Sequence, residues 1–237
     1  MRHYGIIGYP LEHSLSAKFF NEKFAAEGIE AEYSLYEMKA LTSERVNELT
    51  TRLDGFNVTY PYKQMIIPYL DCLDEKAAAI GAVNVVHRRK GYNTDYIGFI
   101  QSIQGLVRAG DKRALVLGTG GASRAICYAL QEMGIAPTLV SRRSGEGILG
   151  YAELDANTMQ THTIIVNCTP LGMYPDVETC PPIPYEMISA QHLLYDCVYN
   201  PEESLFLRKG KAQGARIKNG MTMLKEQAKA AWSIWAN

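Results

Sequence analysis

The chain has 237 residues, of which 47% are hydrophobic and 21% are charged, and its formal net charge is −1. This composition is typical of a globular protein, and the length fits one large domain or two smaller ones. Because the charges are balanced, we expect neither nucleic acid nor an anionic membrane surface as a partner.

The cysteines and the N-terminal segment indicate a cytoplasmic protein. Five scattered cysteines contain no C-x-x-C spacing, and the five histidines form no pair at metal-binding spacing. This pattern argues against a disulfide framework and against a metal site, as expected in a reducing compartment. The apolar run near the N-terminus is too short for a signal peptide, and no segment is long enough to span a bilayer.

Short β-type runs alternate with helical patterns along most of the chain. Strands are predicted at 3–8, 31–38, 55–59, 82–89, 113–118, 136–141, 162–169, 193–199 and 215–219. Helices are predicted at 16–27, 42–53, 72–80, 94–108, 121–133, 203–211 and 221–235. The alternation predicts βαβ units with mostly parallel sheets. A break near 100–112 separates two blocks, so we expect two α/β domains.

The segment "NVTYPYK" (57–63) ends an apolar run on Thr59, turns over Pro61 and places a lysine, Lys63, after the turn. Glycine, asparagine or aspartate would serve a plain turn. Lys63 is therefore either a solvated charge or a positioned proton carrier.

Other polar side chains of the first block stand at the ends of predicted elements or inside an apolar strand. Ser14 and Ser16 open a predicted helix, which suits either simple capping or the binding of a carboxylate. Asn84 lies in an otherwise apolar strand, where a buried amide needs partners. Asp95 begins a helix and has the alternative role of an N-cap. Hydroxyl and amide groups of this kind match a substrate rich in hydroxyls.

A glycine-rich turn follows the predicted strand at 113–118 and opens the next helix. It reads Gly118-Thr119-Gly120-Gly121-Ala122-Ser123. Glycines at such a turn let the backbone approach a pyrophosphate at the helix N-terminus, although a tight turn that binds nothing is the alternative. The following strand ends in Ser141-Arg142-Arg143 with no acidic residue. Two guanidiniums there favour the 2′-phosphate of NADP, unless they form an exposed, solvated pair.

Eight segments, in order along nearly the whole chain, resemble the shikimate dehydrogenase family. They are "GYPLEHSLS" (8–16), "NVTYPYK" (57–63), "GAVN" (81–84), "YNTDYIG" (92–98), "GTGGASRA" (118–125), "NCTPLGMYP" (167–175), "YDCVYNPEES" (195–204) and "NGMTMLKEQ" (219–227). The resemblance implies NADPH-dependent reduction of 3-dehydroshikimate to shikimate in aromatic amino-acid biosynthesis. It also implies a substrate domain, with a mixed and mostly parallel sheet, from 1–100 plus 219–237. The Rossmann-like NADP-binding domain would lie at 101–218, with a cleft between the two.

The resemblance also assigns roles to single residues. Lys63 is implied as the catalytic acid/base, with Asp95 as its partner. The implied substrate ligands are Ser14, Ser16, Thr59, Asn84, Tyr199 and Gln227. The implied NADP-binding residues are Gly118, Thr119, Gly120, Gly121, Ala122, Ser123, Ser141, Arg142 and Arg143, with the backbone of Val198 and Gly220 at the nicotinamide.

Three departures from the family pattern leave alternatives open. The helix entry after Ser16 reads Ala17-Lys18-Phe19-Phe20-Asn21 and lacks the usual proline and histidine. The Ser141-Arg142-Arg143 ending does not exclude a quinate/shikimate dehydrogenase that uses NAD. The short span 144–161 leaves little room for the usual crossover helix, so we expect a trimmed crossover with a loop there. An NADP-binding sensor without activity is a further alternative, and both a monomer and a homodimer remain open.

Overall fold

A computed structural model describes residues 1–12 and 14–236 and divides into two compact units. Unit 1 contains the residues up to Asp95 and those from Gln227 onward, and unit 2 contains Tyr96–Glu226. Each unit is built around one six-stranded sheet. No helix among the described residues has the length and apolar character needed to cross a membrane.

Unit 1 has a mixed sheet in the strand order β2-β1-β3-β5-β6-β4. Three of its neighbouring pairs are parallel and two are antiparallel, the latter being β3 with β5 and β5 with β6. Its elements are β1 (Arg2–Gly8), α1 (Ser16–Glu27), β2 (Ala31–Glu37), α2 (Ser43–Arg52), β3 (Gly55–Val58), β4 (Cys72–Leu73), α3 (Glu75–Ile80), β5 (Val85–His87) and β6 (Lys90–Tyr92). A 3₁₀ turn at Ile67–Tyr69 precedes β4.

An aromatic cluster closes one face of this sheet. Phe20 of α1 stacks on Tyr33 of β2 with ring centroids 4.6 Å apart. The indole Nε1 of Trp235 donates to the carbonyl oxygen of Val86 at 3.2 Å. A Cβ at Gly55 would lie 2.3 Å from that indole nitrogen, so only glycine fits beside the ring. The cluster therefore holds the C-terminal helix residues against β3 and β5.

Unit 2 has an all-parallel sheet in the strand order β12-β11-β10-β7-β8-β9. Its elements are β7 (Arg113–Leu117), α5 (Gly121–Glu132), β8 (Ala136–Ser141), β9 (Ile148–Gly150), α6 (Ala156–Thr161), β10 (Ile164–Asn167), β11 (Leu193–Asp196), α7 (Leu205–Ala212) and β12 (Arg216–Lys218). Two helices include residues of both units along the chain, α4 (Asp95–Ile103) and α8 (Met221–Trp235). β7, β10 and β11 are buried on both faces, as is usual for the inner strands of a parallel sheet that helices cover.

Two predictions in the first block were wrong in detail. The predicted helix 72–80 is the short strand β4 followed by α3. The predicted strand 82–89 is instead part of a hairpin of β5 and β6, in which Arg88 and Arg89 have φ angles of 47° and 61°. Nothing local marks this turn, because residues with positive φ are usually glycine or asparagine. Hydrogen bonds from the Arg89 guanidinium to Asp71, Asn47 and the carbonyl of Tyr69 hold the unusual backbone.

The crossover after β8 is shortened but is not only a loop. It contains β9, a 3₁₀ turn at Tyr151–Glu153 and the six-residue helix α6. Asp155 caps α6 by accepting from the amide of Thr158 at 2.7 Å. The predicted trimming is confirmed, whereas the expected replacement by a loop was wrong. The helix predicted at 94–108 also ends earlier, at Ile103.

Candidate active site

Lys63 and Asp95 form a close ion pair in unit 1. The Nζ of Lys63 lies 2.6 Å from Oδ2 of Asp95, and the two side chains are 18% and 6% exposed. Lys63 stands in the turn after β3, where Tyr62 is buried and its hydroxyl donates to the carbonyl of Met38 at 2.7 Å. Asp95 begins α4, and its carboxylate faces the lysine rather than capping the helix. The pair thus places one partly accessible ammonium beside one buried carboxylate.

Asn84 connects this pair to the rest of unit 1. Its Nδ2 lies 3.0 Å from both Oδ1 of Asp95 and Oγ1 of Thr94, and 3.2 Å from Oε1 of Gln227. Its Oδ1 accepts from the amide of Thr94 at 2.6 Å. The residue lies just before β5 rather than inside a strand, but it is buried and fully partnered, as its apolar surroundings require. Asn84 therefore fixes the position of Asp95 relative to the α8 residue Gln227.

Neither serine is the N-cap residue of α1, although the hydroxyl of Ser14 accepts from the first helical amide. The N-cap of α1 is Leu15, which makes no side-chain capping bond, and Ser16 is the first helical residue. The amide of Ser16 lies 3.4 Å from Oγ of Ser14. Both hydroxyls sit at a helix N-terminus, where an anion is favoured.

Thr59 and the serines follow strands that end at the same edge of the sheet. Thr59 comes directly after β3, and the segment with both serines comes after β1. The amide of Thr59 donates to the carbonyl of Ile7 in β1 at 2.9 Å, which ties the two strand ends together. Because β1 and β3 are parallel neighbours, their carboxyl ends meet at one edge. The structure therefore brings the site residues predicted in unit 1 together around this edge.

A buried pair, Tyr33 and Asn57, supports these groups and was not predicted from the sequence. The hydroxyl of Tyr33 donates to Oδ1 of Asn57 at 2.6 Å, and Nδ2 of Asn57 donates to the carbonyl of Asn84 at 3.0 Å. Burial raises the pKa of Tyr33 well above its ordinary value, so the phenol stays protonated and remains a donor. The available sequence signal is an asparagine inside the buried strand β3.

We expect the substitution Tyr33→Phe to lower the free energy of unfolding by about 1–3 kcal/mol, because the buried oxygen of Asn57 loses its donor. Urea unfolding measures the change. Tyr4→Phe is the matched control, since the buried Tyr4 hydroxyl has no partner of hydrogen-bonding geometry among the described residues. Equal stability losses in the two variants would show that the Tyr33–Asn57 bond contributes nothing specific.

The glycine-rich turn lies in unit 2 between β7 and α5. Gly118 has a φ of 111°, a left-handed conformation that favours glycine, and its amide donates to Val140 at 2.8 Å. A Cβ at Gly120 would meet no atom within 4 Å, so this position borders open space. Ser123 is fully buried in the first turn of α5, and its Oγ has no hydrogen-bond partner of good geometry among the described residues. An orphaned hydroxyl beside free helix amides fits a dinucleotide pyrophosphate.

Ser141 ends β8, and Arg142 and Arg143 follow it as exposed residues. Within the described ranges neither guanidinium forms an ion pair with a carboxylate. The strand β8 is the parallel neighbour of β7, so the arginines lie at the same sheet edge as the glycine turn. Both groups therefore suit the phosphates of one dinucleotide.

The remaining predicted residues follow β11 and β12 at the same edge. Val198 is buried, Tyr199 is half-buried, and the amide of Gly220 donates to the carbonyl of Val198 at 3.1 Å. Asp196, which ends β11, is buried and was not singled out from the sequence. Burial raises the pKa of its carboxyl to about 6, although bonds from Ser204, Val198 and Asn167 lower it. No group of three or more potential metal-binding side chains occurs in the part of the chain that the structure describes.

The parallel sheet with its glycine turn and paired arginines defines unit 2 as a Rossmann-type nucleotide-binding fold. Unit 1 matches the model of the shikimate dehydrogenase substrate binding domain over residues 6–86. The shikimate dehydrogenase (NADP(+)) of Methanosphaera stadtmanae is 36% identical over 98% of this chain and 90% of its own length. The chain belongs to the shikimate dehydrogenase family.

Solved structures give the same result for the fold. The shikimate dehydrogenase of Aquifex aeolicus is 34% identical and has a TM-score of 0.88, with 99% of this chain and 92% of that chain covered. The Thermus thermophilus enzyme was solved in complex with NADP(H) and shikimate. It is 29% identical and has a TM-score of 0.87, with 99% of this chain and 93% of that chain covered. These matches confirm the predicted two-domain α/β class.

Proposed function

We propose that the chain catalyses the reversible, NADPH-dependent reduction of 3-dehydroshikimate to shikimate. The observation that carries this proposal is the ion pair of Lys63 and Asp95, which Asn84 links to Gln227 within unit 1. Family membership supplies the reaction, and the pair supplies a group able to move the proton that the reaction requires.

Lys63 acts as the acid in reduction and as the base in oxidation. NADPH, when bound, supplies the hydride that becomes the hydrogen on C3 of the substrate. The Nζ of Lys63 gives a proton to the C3 oxygen, so the carbonyl becomes a hydroxyl. Asp95, 2.6 Å away, holds the ammonium in place and stabilises its charge. Asn84 keeps the carboxylate oriented toward the lysine.

The substrate ligands supply hydroxyl and amide groups that match the three hydroxyls and the carboxylate of shikimate. We assign Ser14 and Ser16 to the carboxylate, because they stand at a helix N-terminus and neither is its N-cap residue. The hydroxyls are assigned to Thr59, Asn84, Tyr199 and Gln227. This assignment is supported by the convergence of the unit 1 members on one sheet edge.

Unit 2 would hold the cofactor. The glycine turn from Gly118 to Ser123 fits the pyrophosphate, and Ser141, Arg142 and Arg143 fit the ribose 2′-phosphate. Val198 and Gly220 would face the nicotinamide with their backbone. We accordingly propose that unit 1 corresponds to the substrate domain predicted at 1–100 plus 219–237, and unit 2 to the NADP domain predicted at 101–218. A cytoplasmic location completes the proposal, supported by five free cysteines.

Absorbance at 340 nm with purified protein, shikimate and either NADP⁺ or NAD⁺ tests the proposal. We expect NADPH to form rapidly and NADH slowly. Comparable rates with both cofactors, or turnover of quinate, would move the enzyme to the quinate/shikimate class. NADPH binding without turnover of either substrate would refute the proposed reaction.

A further inference from the structure

One buried carboxylate in unit 2 ties together the backbone segments that follow β10, β11 and β12. We propose that Asp196 is a positioning residue that holds the backbone of Val198 and Gly220 in the arrangement that receives the nicotinamide ring. This inference rests on the proposed function, because it concerns the same cofactor site.

Both oxygens of the Asp196 carboxylate are used. Oδ1 accepts from the amide of Val198 and from Nδ2 of Asn167, each at 3.0 Å. Oδ2 accepts from Oγ of Ser204 at 2.5 Å. The side chain is fully buried, so these three donors replace water entirely. Because a buried carboxylate without such partners is strongly destabilising, the three donors are held in one arrangement around it.

The bond to Val198 is passed on to Gly220. The carbonyl of Val198 accepts from the amide of Gly220 at 3.1 Å. A Cβ at Gly220 would lie 2.3 Å from the carbonyl oxygen of Cys197 and 3.2 Å from that of Asp196. The two segments therefore meet backbone to backbone with no room for a side chain. A shift of Val198 must move Gly220 or break their bond.

The other two donors fix neighbouring segments. Oδ1 of Asn167 accepts from the amide and the hydroxyl of Thr169, at 3.0 and 2.6 Å, which shapes the turn after β10. Ser204 is the N-cap of α7 and accepts from the amide of Leu207. Asp196 is thus the common partner of three segments at the carboxyl edge, where an open α/β sheet binds its ligand.

The test compares Asp196→Ala with Asp196→Asn and with the control Asp111→Ala. Asp111 is also a buried carboxylate of unit 2, but it lies before β7 and bonds to Thr163, before β10, and to Arg216 at the start of β12. Those contacts are at the opposite, amino-terminal edge of the sheet. The asparagine variant keeps an oxygen that accepts from Val198 and Asn167, while Ser204 can turn to accept from the new amide.

Amide hydrogen exchange of the unliganded protein is the first measurement, at a temperature where thermal unfolding shows all variants folded. We expect exchange in 197–204 and at Gly220 to become at least about tenfold faster in Asp196→Ala, since one buried hydrogen bond is lost there. Asp196→Asn should stay near wild type, and Asp111→Ala should leave these segments unchanged. Should the alanine variant not fold, Asp196→Leu keeps the branched shape of the side chain and removes the acceptor.

Turnover and binding form the second measurement. We expect kcat with shikimate and NADP⁺ to fall about 10–100-fold in Asp196→Ala, because a misplaced nicotinamide reacts slowly. The Kd for NADPH, measured by fluorescence, should change less than about threefold, since the phosphates bind at other residues. Asp196→Asn should recover most of kcat.

Two results would overturn the inference. One is exchange at 197–204 and Gly220 that stays unchanged in Asp196→Ala, and the other is a kcat of Asp196→Ala that stays at the wild-type value. If the wild-type protein fails to oxidise shikimate, the proposed function is refuted instead. The exchange result then tests only whether Asp196 holds the backbone of Val198 and Gly220.

Discussion

Replacing Lys63 by alanine is expected to lower kcat by about 10²–10⁴-fold, the usual effect of losing a catalytic acid/base, with a small change in KM. The substrate keeps its hydroxyl and amide ligands in this variant, so binding is largely retained. The proton that must reach the C3 oxygen has lost its donor. Steady-state rates at 340 nm in both directions measure the loss.

Two comparisons make this result specific to Lys63. Lys90→Ala removes another lysine of unit 1, whose ammonium lies 5.3 Å from the ring centroid of Tyr92, and should leave kcat unchanged. Adding a small primary amine to Lys63→Ala should restore part of the rate, because it fills the space of the lost ammonium. Turnover of Lys63→Ala near that of wild type would exclude Lys63 as the acid/base.

The sequence pointed to Lys63 and Asp95 because each stands at the end of a regular element. It did not show that they touch, since 32 residues separate them along the chain and only the fold brings them to 2.6 Å. The same holds for Asn84 and Gln227, which are 143 residues apart. The family motifs predicted that these residues belong to one site, and the structure shows the hydrogen bonds between them.

Residues that hold other site residues in position were not predicted from the sequence. In the sequence, Asp196 is only the last residue of an apolar strand, and Tyr33 is only an aromatic residue in a half-buried strand. Their roles depend on donors and acceptors from several different elements, and no local pattern encodes these. The Arg88–Arg89 turn was missed for a similar reason, because tertiary hydrogen bonds hold a backbone that local preference disfavours.

The parallel character of the unit 2 sheet was accessible to sequence reasoning, because apolar runs that alternate with helices are typical of buried parallel strands, whereas the order of the strands was not predicted. The shortened crossover was also readable from the length of 144–161. Its content was not, since β9 has only three residues and pairs with β8 through backbone bonds that any sequence can make. Short elements of this kind are defined by their neighbours rather than by their own residues.

The double substitution Arg142→Ser with Arg143→Ser is expected to lower kcat/KM for NADP⁺ by about 10²-fold, because two charged donors to the 2′-phosphate are lost. NAD⁺ carries no phosphate at that position, so its kcat/KM should change little. The preference for NADP⁺ over NAD⁺ should then nearly disappear. Parallel assays with the two cofactors at fixed shikimate concentration measure the ratio.

Two further measurements, the salt dependence of NADP⁺ binding and a substitution of another arginine, distinguish a direct phosphate contact from a general effect of charge. Raising the ionic strength should weaken NADP⁺ binding in wild type more than in the double variant, since the contact is exposed and screened. Arg208→Ser removes another exposed guanidinium of unit 2, one paired with Glu178 at 3.2 Å, and should leave the cofactor ratio unchanged. An unaltered NADP⁺ preference in the double variant would assign both arginines to solvent and require that other residues read the 2′-phosphate.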